Sequence, residues 1–209
     1  MIDRDENPLE FGRVLSLSDA VFGLAMTLLV VSIAIPPGLS SPVFTQAVVD
    51  LLPRVAIMAL SFAVAASAWL EHRRLFGRLQ RIDSSLQRRN FLLLGLVALI
   101  PLPHQILGSY PQEPLSYVLY ATVLAAVNAV MVWLAVHARR RNLLRRREAD
   151  AHRLEIARGV LDIVVFGLSI PLAFLLVGWT PLVWVALLPL EVLLRRRMRR
   201  RYATRGDSR

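Results

Sequence analysis

The 209-residue chain is 56% hydrophobic, with 25 Arg, 15 acidic residues and a formal net charge of +10. Soluble domains run nearer 45–50% apolar, roughly, without gathering those residues into blocks as this chain does. There is no Cys and no Lys, which excludes disulfides, thiolate metal sites and cysteine nucleophiles.

The N-terminal MIDRDENPLEFGR is mixed in charge and lacks a small-residue cleavage site after a short apolar core, so the first apolar run is expected to be a retained membrane helix. A helix crossing the hydrocarbon needs about 20 mostly apolar residues. Stretches of that kind fall near 14–35, 54–71, 91–109, 115–137, 159–177 and 181–195. The fifth carries Asp162 and Pro171, and the sixth is short, with Pro189 and Glu191 near its end. Those two could form one re-entrant pair, but Gly178-Trp179-Thr180-Pro181 reads as a tight turn between two spans.

The arginines test this count. Two precede span 1, six lie between spans 2 and 3, eight between spans 4 and 5 (Arg139 to Arg158), and eight follow span 6. The connections 36–53, 110–114 and 178–180 contain none, and Arg54 alone breaks the pattern, so 24 of 25 fall on one side. Cytoplasmic loops carry the positive excess, which puts both termini inside. The expected organisation is a cytoplasmic N-terminus at 1–13, a six-helix transmembrane domain at 14–195 and an Arg-rich cytoplasmic tail at 196–209. Because each cluster abuts a span, anionic lipid is the expected partner of the Arg-rich face, and nucleic acid is not.

Span 1 has the most internal order. Ser16, Ala20, Gly23 and Thr27 form a stripe of small side chains, of the kind that lets membrane helices approach closely. Beside it Leu24, Leu28, Val31 and Ile35 form an apolar seam. Copies of this helix around an axis would present one ring of small residues and one of bulky aliphatics; an ordinary packed helix would show the same spacing. Asp19 is costly inside a span and needs a partner or water. It lies about 140° around the helix from Leu24, so it is expected to latch span 1 to a neighbour rather than line the seam. The expected partner is the end of span 2, at Trp69 or His72, although each also suits a membrane-interface position. His104, in Pro103-His104-Gln105, reads as an interfacial residue.

Three ordered segments carry a resemblance. Arg13-x-x-x-Leu17-Ser18-Asp19 with the aliphatic helix after it, Trp69-x-x-His72-Arg73-x-x-Phe76, and Asn90-Phe91-Leu92-Leu93-Leu94 continuing to Pro101-Leu102-Pro103 resemble the endosomal and lysosomal potassium channel family of transmembrane protein 175 and its bacterial relatives. Leu17 stands where that family usually has Phe, and the motif occurs once, as in the single-repeat bacterial form. The resemblance implies an all-α, six-helix channel of the bacterial inner membrane. It assembles as a homotetramer, with the first helices around a central pore, potassium as the permeant ion and no cofactor. It also implies a hydrophobic constriction at Leu24, with Thr27 and Val31 as successive layers and Leu28 and Ile35 as further pore-lining positions. Arg13, Ser18 and Asn90 join Asp19, Trp69 and His72 as a helix-packing network. Two other readings stand beside it: a secondary transporter relaying protons through Asp19, His72 and Asp162, and a non-conducting scaffold. Scattered His72, His104, His137 and His152, with no nucleophile–base pair, argue against an enzyme.

Overall fold

In the computed structural model, residues 8–145 and 149–175 are described. They form α1 (Pro8–Leu28), a 3-10 turn (Leu29–Ser32), α2 (Ser41–Gly77), α3 (Ser84–Leu99), α4 (Pro101–Ser109), α5 (Pro114–Arg140) and α6 (Ala149–Leu175). Among the described residues five stretches are long and apolar enough to cross a membrane: Phe11–Val31, Ser41–Gly77, Ser84–Ser109, Pro114–Arg140 and Ile156–Leu175. The sixth span expected at 181–195 and the tail at 196–209 lie outside the described residues.

Several limits differ from the sequence expectation. α1 is described from Pro8 onward. It stops being α-helical at Leu28, and Ile33 is already extended (φ −99°, ψ 101°), so Ile35 lies beyond the helix whose seam it was expected to extend. The cause is local: Pro36-Pro37 disfavours helix in the residue before it, and Gly38 turns the chain at φ 79°. The segment 41–53, expected to be a connection, is the first third of α2, which runs through Pro53 without a break. Proline inside a membrane helix is tolerated where neighbouring groups or local adjustment re-satisfy the freed backbone carbonyl. Its 37 residues span about 55 Å, well beyond the ~30 Å hydrocarbon thickness. α3 and α4 act as one span, with Ile100 still helical between them (φ −52°, ψ −41°).

The core lies where α3, α5 and the second half of α2 meet α1. Leu75, Phe76, Leu86, Leu93, Val97, Leu107, Tyr120, Leu124 and Leu134 are fully or almost fully buried in one cluster. α5 and α6 pack along their length. At one end of the bundle the two Arg-rich connections pair: Leu79 and Leu144 form an isolated bridge, Gln80 N–H donates to the Leu143 carbonyl at 2.9 Å, and Arg145 N–H donates to Arg78 at 3.1 Å. The loops that the arginine census places on one side of the membrane are thus neighbours in space.

Candidate pore-lining helix and its polar latches

α1 has two faces. Val14, Ser18, Phe22, Ala25 and Leu29, spaced by four, four, three and four, are all buried against the rest of the bundle. On the other side Ser16, Leu17, Ala20, Leu24, Thr27, Leu28 and Val31 are exposed in the single chain, Leu24 at 60% and Val31 at 68%. The small stripe and most of the aliphatic seam read from spacing therefore share the unpacked face. Leu17, the departure from the family motif, points outward too and leaves the buried face untouched. The Thr27 hydroxyl donates to the Leu24 carbonyl at 2.9 Å, which ties the two expected pore layers within one turn.

Between the faces, half-buried Asp19 accepts the Trp69 indole N–H at 2.7 Å. At the adjacent position on α1, Asn90 Nδ2 donates to the Ser18 hydroxyl at 3.0 Å, and Ser18 donates to the Val14 carbonyl at 2.9 Å. With its amide nitrogen turned to Ser18, Asn90 presents Oδ1 to His72 Nε2, 2.9 Å away. An oxygen acceptor there requires the proton on Nε2. The His72 ring stacks on Phe76 with centroids 4.2 Å apart and tilts against Phe22 at 5.5 Å. Five of the six residues expected to form a packing network thus meet across α1, α2 and α3. Arg13 does not join them and lies exposed near the start of α1.

Two features escaped the sequence reading. Arg158, counted there as part of an interhelical Arg run, belongs to α6, is only 3% exposed and pairs with Glu71 of α2 at 2.8 Å. The available signal was a carboxylate at the end of an apolar span and an arginine at the head of another, on the same side. His104, expected at the interface, is 2% exposed. Its Nδ1 lies 3.0 Å from the Ser61 hydroxyl, because α4 continues α3 into the bundle instead of ending at its surface. Asp162 lies one turn from Arg158 on α6, apart from the Asp19 and His72 contacts.

Residues 13–101 match the family described as the endosomal/lysosomal potassium channel TMEM175. A potassium channel of Chamaesiphon minutus is 31% identical over 180 residues, covering 81% of this chain and 89% of the relative. A potassium channel of Streptomyces collinus is 31% identical over 171 residues, covering 79% and 83%. The crystal structure of a lysosomal potassium-selective channel TMEM175 homolog from Chamaesiphon minutus superposes with a TM-score of 0.75 at 26% identity, covering 90% of this chain and 97% of that one. The relatives are ion channels, not enzymes. On the strength of identity across four-fifths of its length, the chain belongs to the TMEM175 potassium channel family.

Proposed function

We propose that this chain forms a homotetrameric, potassium-permeable channel of the bacterial inner membrane, both termini cytoplasmic, whose α1 helices surround the pore. What carries the reading is the exposed face of α1: a helix latched on one side by polar contacts, with Leu24, Thr27 and Val31 free on the other. The names of its relatives supply the ion.

No stretch of the chain resembles the TVGYG loop that coordinates dehydrated potassium through backbone carbonyls. A ring of Leu24 side chains works differently. It excludes water when narrow and makes a passing ion shed part of its hydration. Potassium holds its water less tightly than sodium, so it crosses such a ring at lower cost, and the preference is modest. Thr27 adds oxygens one turn outward, and Val31 forms the outer apolar layer. Arginines at the cytoplasmic side engage anionic lipid. The test is flux from liposomes under opposed potassium and sodium gradients. Leu24→Ala widens the ring, so total flux rises and the potassium preference falls; wild-type flux and preference in that variant would remove Leu24 from the pore.

A further inference from the structure

A second set of buried polar groups lies away from the Asp19 and Ser18 contacts and joins four elements. Ser61 on α2 accepts the Tyr120 hydroxyl of α5 at 2.8 Å and lies 3.0 Å from His104 Nδ1 on α4. Its own proton serves His104 or the Ile57 carbonyl, which is 2.9 Å away. The His104 ring also hydrogen bonds the Leu29 backbone carbonyl. A carbonyl only accepts, so His104 carries a ring proton toward Leu29. Ser61, His104, Tyr120 and Leu29 are each at most 2% exposed, so none of these bonds exchanges readily with water.

Leu29 is where α1 tightens into the 3-10 turn. It lies ten residues beyond Asp19, about 15 Å along the axis. Between the two points α1 is held by the apolar contacts of Phe22 and Ala25. Such contacts hold the helix by van der Waals fit alone, because lipid chains are as apolar as the helix they would replace. Two polar attachments three turns apart set both tilt and register.

We infer that His104, held by Ser61 and Tyr120, is a positioning residue for the outer end of α1: it fixes the Leu29 carbonyl and thereby the direction in which Val31 projects. The inference rests on the reading that α1 lines the pore, and the experiment separates the two. The chain contains no cysteine, so single cysteines report without background. Leu24→Cys and Val31→Cys are made in the full chain, reconstituted in liposomes and modified by a small charged methanethiosulfonate. Rates are compared in otherwise wild-type protein and with His104→Leu, His104→Gln or Tyr120→Phe.

His104→Leu shifts the Val31→Cys rate by about fivefold, the factor that one net hydrogen bond sets, and leaves Leu24→Cys unchanged. His104→Gln, whose amide both donates and accepts, restores most of the wild-type rate. Unchanged modification at Val31→Cys overturns the inference, and so does an equal shift at both positions, which is general loosening. If His104→Leu does not assemble, Tyr120→Phe decides: a smaller shift confined to Val31→Cys supports the inference, and none overturns it. Leu24→Ala, measured in parallel, guards the underlying reading. Wild-type flux there sinks the pore assignment itself, whereas altered flux with unmoved Val31→Cys rates sinks only the role of His104.

Discussion

A carboxylate inside an apolar helix, next to a serine bonded by a buried asparagine, is stable only if its charge is met. Asp19 meets it through a single indole N–H, 2.7 Å away on a helix fifty positions further along the chain. Trp69→Phe keeps the ring volume nearby and removes that donor. Leaving a partly buried carboxylate oxygen unpaired costs about 1–3 kcal/mol, so the detergent-solubilised protein should melt several degrees lower. An unchanged melting temperature would mean that Asp19 finds water instead. Asp19→Asn keeps an acceptor for the indole and should lose less. Conduction retained in Asp19→Asn would also exclude the proton-relay transporter, which needs the carboxyl itself. The existence of a latch was legible from the cost of Asp19 alone. His104 was not legible in the same way. Pro103-His104-Gln105 at the end of an apolar run looks interfacial, and it is buried because α4 continues α3 to pack against α2, α5 and the turn after α1.

At the scale of elements, the paired Arg-rich connections are braced by one acid. Asp83 caps α3, accepting the Leu86 N–H at 2.6 Å, and its other oxygen lies 2.9 Å from His137 Nε2 on α5. Burial pushes the Asp83 carboxyl up. The bonds from Leu86 and His137, with the charges of His137 and Arg141, outweigh it and hold the group below its ordinary value of 3.8. Because the folded chain binds this proton less tightly than the unfolded chain, acid favours unfolding. The contribution of Asp83 is complete above 3.8 and is lost as the pH falls through the lower folded value. Thermal midpoints measured from pH 6 down to pH 3 should therefore fall less steeply in Asp83→Asn than in wild type. At neutral pH Asp83→Ala should cost about 1 kcal/mol for the lost cap. Parallel pH profiles for wild type and Asp83→Asn would show that the acid sensitivity arises elsewhere. The capping role has a sequence signature, an Asp just before Ser84-Ser85-Leu86. The reach to His137 has none, since it depends on how α3 and α5 pack. Helix limits divide likewise: apolar runs located the spans, but α2 extends through 41–53 because helix continues past Pro53 where hydropathy alone suggests a loop.

For the whole molecule, the question is what covers the outward face of α1. Lipid accepts any apolar surface, and bulky side chains suit it well. Small residues are different: Ser16, Ala20, Gly23 and Thr27 offer lipid little, but let another helix backbone come close. In the single chain Ala20 is exposed, and a Cβ added at Gly23 would meet nothing within 4 Å. Enlarging exposed Ala20 therefore leaves the fold of one chain untouched and acts only on what packs against it. Ala20→Phe should keep the helical content of wild type, measured by circular dichroism, while the particle in mild detergent falls from the proposed tetramer of 23.5 kDa chains toward a single copy. Flux should vanish with it, because one α1 encloses no pore. A variant that keeps both the oligomer mass and the flux would mean that the small stripe faces lipid, and subunit contact would then pass to the exposed aliphatics of α2, Val43, Phe44, Val48, Val49 and Leu52. A variant that loses mass but still conducts would remove α1 from the pore altogether, since conduction would then not need the ring of first helices.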